Sequence, residues 1–216
     1  MEMKVYLYKL DRAALDEKRE RALELLPAWR IEQYERMRFP EGRLQQLAAS
    51  LLLRHALWDA ARIDLSAVEI RKNEYGKPEL FGSEVHFNLT DSGDYVAAIV
   101  ADAPVGIDLE TKNDPDGKIA ERFFSPEEVE YIQTAENKDK AFRYLWTRKE
   151  AYLKCTGTGI SVNLNGVPVL KEAENGTLLS TPILSEEYAL SLCVKNLWEA
   201  ETFPKFSLDT VEGFDI

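Results

Sequence analysis

The sequence predicts an α+β fold made of two halves that meet near Pro104. The order of elements repeats along the chain, because a strand, helices and strands are followed by a second strand, helices and strands. With 216 residues, 45% of them hydrophobic, the chain is long enough to bury a core. No linker, repeat or low-complexity stretch divides it. We therefore predict an N-terminal α+β lobe in residues 1–104 and a C-terminal α+β lobe in residues 105–216.

In the first half, strands are predicted where apolar residues alternate with polar ones or form short continuous runs, at 4–10, 68–71, 85–89 and 95–100. Helices are predicted at 11–38, with an interruption at Pro27, and at 44–61. Gly76 and Pro78 indicate a turn over 73–78, and the polar stretch 90–94 predicts a second turn.

In the second half, the apolar run of residues 105–110 predicts a strand, followed by a polar turn at 112–117. Ser125 and Pro126 are typical of a helix start, so a helix to about residue 135 is predicted. Further helices are predicted at 119–124 and 141–155, and further strands at 167–170, 176–180 and 188–194.

Composition excludes several functional classes. The net charge of −11 argues against nucleic acid as a partner. No apolar run approaches the ~20 residues needed to cross a membrane, and the N-terminus lacks a signal-peptide core, so we expect a cytoplasmic protein. Two cysteines without metal-type spacing and only two histidines argue against a zinc site and a Ser-His-Asp triad.

Four charged residues form a candidate site for phosphate chemistry. Asp108 and Glu110 are two apart on a predicted strand, so both carboxylates point to the same face. Glu150 and Lys154 are four apart on a predicted helix, which also puts them on one face. Taken separately, the first pair could be a solvated strand edge and the second an ordinary pair on a helix surface. Together, three carboxylates without His or Cys suit Mg²⁺, and Lys154 could hold a phosphate or leaving oxygen.

Five stretches of the chain resemble the 4′-phosphopantetheinyl transferase superfamily, in its longer, pseudo-dimeric type that serves synthase carrier proteins. The Gly-Ile-Asp-Leu-Glu stretch and the Lys-Glu-x-x-x-Lys stretch are each a weak signal alone. Because they lie about 40 residues apart and the other three stretches accompany them, the combination is a strong signal. The stretches are EYGKP at 74–78, FNLTDSG at 87–93, VGIDLE at 105–110, RFFSPEE at 122–128 and WTRKEAYLKCTGTGI at 146–160.

The resemblance implies two similar α+β lobes with coenzyme A as substrate in the cleft between them. It implies Mg²⁺, with Mn²⁺ as an alternative, on Asp108, Glu110 and Glu150. A serine of an apo acyl or peptidyl carrier protein would attack the β-phosphate and release 3′,5′-ADP. Glu150 would take the serine proton and Lys154 would stabilise the leaving charge. An internal pseudo-dimer also implies a monomer.

The resemblance assigns coenzyme A binding to Lys77, Thr90, Asp91 and Arg43. The family usually has Ser-His-Ser where this chain has Thr90-Asp91-Ser92, and an aspartate repels phosphate where histidine would attract it. This departure leaves a second hypothesis open, a paralogue of the same fold that binds coenzyme A or a nucleotide without catalysis. A third hypothesis, from the acids alone, is a Mg²⁺-dependent phosphate hydrolase.

Overall fold

The computed structural model describes residues 2–111, 122–159, 164–171, 173–174, 176–182, 184–195 and 202–216. The strands are β1 Met3–Lys9, β2 Ile70–Lys72, β3 Pro78–Leu80, β4 His86–Ser92, β5 Tyr95–Ala101, β6 Val105–Thr111, β7 Ala173–Glu174, β8 Thr177–Ser180, β9 Tyr188–Lys195 and β10 Phe206–Val211. The helices are α1 Arg12–Glu17, α2 Arg19–Glu24, α3 Ala28–Arg36, α4 Pro40–Ala61, α5 Pro126–Thr134 and α6 Lys138–Thr156, with a 3₁₀ turn at Leu164–Gly166.

The strands form two four-stranded sheets and one small hairpin. The first sheet has the order β10-β1-β5-β4, the second has the order β6-β9-β8-β7, and β2 pairs with β3. β1 pairs in parallel with β10, whereas the other neighbours are antiparallel. None of the helices in the described ranges is long and apolar enough to cross a membrane.

The core is arranged in four layers, with a helix on each outer side and the two sheets between them. Leucines of α4 pack against one face of the first sheet. The opposite face of that sheet, with Val5 and Ile99, packs against Ile107 and Leu192 of the second sheet. The far side of the second sheet is covered by α5 and α6. The lobes are therefore joined by a shared apolar layer.

Local sequence signals account for the helix ends. Pro40 occupies the first turn of α4, where its missing N–H costs nothing. Ser125 and Glu128 form a capping box at the start of α5. The side chain of Asn137 caps α6 by accepting from the Lys140 N–H at 3.0 Å. Gly157 ends α6 with φ of 71°, a left-handed conformation that glycine adopts without strain.

The α+β prediction and most of the predicted elements are confirmed, and several details differ. Residues 90–92 belong to β4, so the turn lies at Gly93 and Asp94. Residues 167–170 do not form a strand. The strand β10 was not predicted; it returns to the first sheet, although it lies within the predicted C-terminal lobe. The hairpin strand β3 was also missed. The limits 1–104 and 105–216 stay a prediction. The predicted turn at 112–117 and the first half of the predicted helix at 119–124 lie outside the described residues, whereas residues 122–123 are helical.

Strand β6 and helix α6 approach each other closely at Gly106. A Cβ atom added there would overlap the backbone oxygen of Ala151 and the backbone nitrogen of Cys155. Both neighbours are main-chain atoms of a packed helix, so neither can rotate away. Only glycine at this position lets β6 lie against α6 at the observed separation.

We predict that Gly106→Ala lowers the free energy of unfolding by about 3 kcal/mol or more, because the overlap forces β6 away from α6. Urea denaturation followed by circular dichroism measures the change. Gly166→Ala is the matched control, since a Cβ there meets no atom within 4 Å. Equal stability of the two variants would contradict the close approach.

Candidate active site

The two lobes meet along a row of hydrogen bonds that we call the interlobe seam. Alternate side chains of β4 point towards the second sheet, and each accepts a backbone N–H from an alternate residue of β6. Ile107 donates to Asn88 Oδ1 at 3.0 Å, Leu109 to Thr90 Oγ1 at 3.2 Å and Thr111 to Ser92 Oγ at 3.1 Å. The seam fixes the edge of β6 against one face of β4.

The seam hydroxyls also contact the predicted acids. Thr90 Oγ1 donates to Asp108 Oδ1 at 3.3 Å, and Ser92 Oγ donates to Glu110 Oε2 at 3.2 Å. Each hydroxyl oxygen accepts an N–H while its hydrogen goes to a carboxylate, so one side chain serves both functions. The orientation of both acids is therefore tied to the contact between the lobes.

Lys154 and Asp108 form an ion pair across the gap between α6 and β6. Lys154 Nζ lies 2.6 Å from Asp108 Oδ1 and 3.4 Å from Thr90 Oγ1. Asp108 is 4% exposed, and its burial raises the pKa of its carboxyl group while the Lys154 charge opposes that rise. The other oxygen, Asp108 Oδ2, is buried without a hydrogen-bond partner among the described residues.

Glu110 and Glu150 complete the acidic cluster. Both are half-buried, and burial is the main cause that raises the pKa of each carboxyl group. The negative charge of Asp108 raises both pKa values further, whereas Lys154 lowers them. Three acids from β6 and α6 therefore repel one another, and one lysine partly compensates them.

The carboxylate oxygens of Asp108, Glu110 and Glu150 are chemically suited to bind a hard cation. Carboxylate oxygens are the ligands Mg²⁺ prefers, and a cation would satisfy the unpartnered Asp108 Oδ2. Within the described ranges, however, no group of three or more His, Cys, Asp or Glu side chains is arranged to hold a metal ion. Lys154 instead provides the positive charge beside Asp108. The assignment of Asp108, Glu110 and Glu150 as metal ligands remains a prediction.

Lys77 ties the turn between β2 and β3 to both site-bearing elements. Its Nζ donates to the Val105 carbonyl at 3.0 Å and to the Cys155 carbonyl at 3.3 Å. Burial lowers the pKa of Lys77, opposed by nearby negative charge. Lys77 also lines a cavity of about 240 Å³ together with Glu150 and Lys154. Its predicted role in coenzyme A binding stays untested, and the observed contacts give it a positioning role.

Asp91 lies on the opposite face of β4 from Thr90 and Ser92. Successive strand residues alternate in direction, and Phe87 and Leu89, which share the face of Asp91, pack in the core beside α4. Asp91 keeps an exposed side chain near the end of the strand. Loss of surrounding water nevertheless raises the pKa of its carboxyl group, and the Lys154 charge opposes this.

Arg43 lies at the start of α4, and its contacts do not include the Asp108–Lys154 pair. Its Nε donates to the Met37 carbonyl at 2.9 Å, and its guanidinium lies 5.9 Å from the ring centre of Tyr34. It lines a separate cavity of about 670 Å³, whose charged lining also includes Arg12, Arg19, Asp16 and Glu17, with Arg19 paired to Asp16 at 3.0 Å. Thr90, Asp108 and Lys154 are thus in direct contact, whereas Arg43 belongs to another cavity.

The sequence analysis missed the seam residues Asn88 and Ser92. Their signal is present in the sequence, because Asn88, Thr90 and Ser92 alternate with Phe87, Leu89 and Asp91. The turn predicted at 90–94 therefore begins too early, because the alternation of the strand extends to Ser92. A strand that presents three polar side chains on one face indicates a polar contact there.

The two residues that precede Glu150 are buried cations whose hydrogen bonds hold α6 in place. Lys149 is 0% exposed; its Nζ lies 2.9 Å from Glu128 Oε2 and donates to the carbonyls of Leu164 and Val167 at 2.8 and 2.7 Å. Arg148 is also buried and donates to the carbonyls of Val169 and Lys171. These bonds link α6 to α5 and to the segment that follows α6.

Two family models match consecutive parts of the chain. The model for the N-terminal region of 4′-phosphopantetheinyl transferases matches residues 14–103, and the model for the 4′-phosphopantetheinyl transferase superfamily matches residues 104–202. A Bacillus pumilus 4′-phosphopantetheinyl transferase, psf-1, is 34% identical over 181 residues, which is 77% of this chain and 78% of that protein. The chain belongs to the 4′-phosphopantetheinyl transferase superfamily.

A second Bacillus relative agrees with this membership. A Bacillus subtilis 4′-phosphopantetheinyl transferase is 30% identical over 206 residues, covering 88% of this chain and 92% of the relative. The holo-[acyl-carrier-protein] synthase of Thermotoga maritima, a solved structure, has 23% identity, a TM-score of 0.36 and coverage of 43% and 62% of the two chains. The family resemblance of the five motifs is therefore confirmed, and the protein is a phosphopantetheinyl transferase of the longer type.

We predict that Lys149→Met lowers the free energy of unfolding by about 3–5 kcal/mol, because it leaves the Glu128 carboxylate buried without its cation. Chemical denaturation measures the loss. Arg36→Met is the control, since it breaks an exposed pair with Glu32 and is expected to change stability by less than about 1 kcal/mol. If Lys149→Met were as mild as the control, α6 would not depend on this buried pair.

Proposed function

We propose that the protein transfers the 4′-phosphopantetheine group of coenzyme A to a serine of an apo acyl or peptidyl carrier protein. The serine oxygen forms a bond to the β-phosphorus, and the bond from that phosphorus to the departing 3′,5′-ADP breaks. Family membership supports the reaction class. The single observation that supports the location is the convergence of Asp108, Glu150 and Lys154 at the contact of β6 and α6.

Glu150 is proposed as the group that takes the serine proton. Burial and the Asp108 charge raise the pKa of its carboxyl group, which makes the carboxylate a stronger proton acceptor than an exposed glutamate. It lines the same cavity as Lys154 and Lys77, so a substrate in that space would touch all three side chains. The proton and the developing charge would then be handled by neighbours on one helix face.

Lys154 is proposed to stabilise the charge that develops on the leaving phosphate. It already pairs with Asp108 at 2.6 Å, so its ammonium group is held near the seam before substrate binds. A phosphate entering the cavity would compete with Asp108 for that ammonium group. Pre-positioned positive charge of this kind lowers the barrier because it needs no reorganisation during the reaction.

Asp108, Glu110 and Glu150 are the residues that would hold Mg²⁺, or Mn²⁺ in its place. When bound, the ion supplies charge neutralisation on phosphate oxygens. For the rest of coenzyme A, we propose Lys77, Thr90, Asp91 and Arg43 as binding residues, with Arg43 in the separate cavity at the start of α4. The cavity at Arg43 is lined by three arginines and two acids, and this surplus of one positive charge supports a role for Arg43 in binding an anion.

We predict that the protein, given coenzyme A and Mg²⁺, adds the mass of one phosphopantetheine group to an apo carrier protein. Glu150→Gln should slow this labelling at least about 100-fold, because the variant lacks the proton acceptor. Intact-mass spectrometry of the carrier measures the labelling. Excess chelator should also abolish it.

Glu127→Gln is the matched control, because Glu127 is an exposed acid in the first turn of α5. Undiminished labelling by Glu150→Gln would contradict the role of Glu150, and full labelling in chelator would contradict the metal. Coenzyme A cleavage without carrier labelling would instead support the hydrolase, and coenzyme A binding without reaction would support the non-catalytic paralogue.

We predict that Asp91→His lowers KM for coenzyme A several-fold with little change in kcat. Because Asp91 points to the face of β4 opposite Thr90, its carboxylate acts on the phosphates at long range, and removing it relieves repulsion of about 1 kcal/mol at a separation of about 15 Å and an effective dielectric of about 20. A change shared by ground and transition states alters KM alone. Steady-state kinetics measures both constants. Glu84→His, at an exposed position before β4, is the control. A fall in kcat would show that Asp91 acts on the reacting groups instead.

A further inference from the structure

A cavity of about 430 Å³ lies in the second lobe, apart from the acidic cluster. It is bounded by the end of α5, the first half of α6, and the connection from β8 to β9. Its lining is largely apolar, with contributions from Tyr131, Ala135, Tyr144, Pro182 and Leu184. Largely apolar cavities with a few polar groups are typical small-molecule sites. None of the residues proposed for the transferase reaction lines this cavity.

Arg143 is the charged residue that makes this cavity unusual. It lines the cavity, is only 6% exposed, and has two nitrogens, Nε and Nη1, without a hydrogen-bond partner among the described residues. Its third nitrogen, Nη2, makes a long bond of 3.3 Å to the Glu186 carbonyl. A buried guanidinium normally has acceptors for its N–H groups, because burying them unpaired is costly.

The other charged side chains around the cavity do not compensate the positive charge of Arg143. The lining includes the acid Glu186, whose carboxylate pairs with Lys140 at 3.0 Å. Lys140, Arg143 and Glu186 therefore give the lining one surplus positive charge, within a protein of net charge −11. An anion with two acceptor oxygens would supply what Arg143 lacks once the guanidinium turns its buried Nε and Nη1 towards the cavity.

The cavity lining also offers a further donor. Ser185 Oγ accepts the backbone N–H groups of Glu187 and Tyr188, each at 3.2 Å, so its own hydrogen is left to donate elsewhere. Ser185 is also part of the cavity lining. The surrounding aromatic and aliphatic carbon disfavours a fully hydrated ion such as free phosphate and favours an anion attached to an apolar body.

We propose that this cavity binds a small carboxylate with a short apolar body, with the carboxylate on Arg143 and the apolar part against Tyr131, Tyr144 and Leu184. Arg143 precedes Glu150 by seven residues on α6, about two turns along the same face and about 10 Å along the axis. The site is thus separate from the transferase cavity and lies on the helix that carries Glu150 and Lys154.

The test uses the full chain with sodium hexanoate as the probe, compared with hexanamide and inorganic phosphate. We expect saturable binding of hexanoate by isothermal titration calorimetry, and binding at least about tenfold weaker for each comparison compound. Hexanamide keeps the apolar body without the charge, and phosphate keeps the charge without the apolar body.

Two variants locate the site. Arg143→Met should weaken hexanoate binding at least about tenfold, whereas Lys138→Met, which removes an exposed positive charge from the same helix, should leave it unchanged. Ala135→Trp should weaken binding by filling the cavity while Arg143 remains, which covers the case in which Arg143→Met fails to fold. Absence of saturable hexanoate binding, equal binding of hexanamide or phosphate, or unchanged binding in both cavity variants would overturn the proposal.

Discussion

The interlobe seam is the constraint on which the site depends. Strand β6 is the edge of its sheet, and three of its N–H groups have side-chain acceptors on β4. Each such bond contributes only about 0.5–1.5 kcal/mol, but a buried N–H left without an acceptor costs about 1–3 kcal/mol. The cost of leaving them unpaired fixes the register between lobes. Because Thr90 and Ser92 also donate to Asp108 and Glu110, the same register sets the positions of both carboxylates.

The other side of the site is fixed by packing and by buried charge. Gly106 lets β6 lie against α6, which brings Asp108 within reach of Lys154. Lys149 anchors α6 from its opposite side by pairing with Glu128. Consecutive residues of one motif therefore have different functions, since Lys149 faces the core while Glu150 faces the cavity. The acids themselves repel, so their proximity must be imposed by the surrounding structure.

The sequence predicted the α+β class and most of the elements, and it put Asp108 with Glu110 on one strand face and Glu150 with Lys154 on one helix face. Those features depend on periodicity and on spacing within one strand or helix, which a sequence shows directly. It did not predict the pairing of β10 with β1, because partners far apart in sequence leave no local pattern. The stem of Lys149 falls near the apolar stripe of its helix, but the sequence did not predict that its charged group is buried, because the pairing with Glu128 leaves no local pattern. The bonds of Lys77 to two carbonyls were hidden for the same reason.

Amide hydrogen exchange at Leu109 tests most directly whether the seam holds β6 in place. Thr90→Val removes the hydroxyl that accepts the Leu109 N–H and keeps a similar volume, whereas Thr90→Ser keeps the acceptor. The seam predicts that the Leu109 amide exchanges at least about fivefold faster in Thr90→Val, corresponding to about 1 kcal/mol, and stays protected in Thr90→Ser. Equal protection of Leu109 in Thr90→Val and in the unaltered protein would contradict the account.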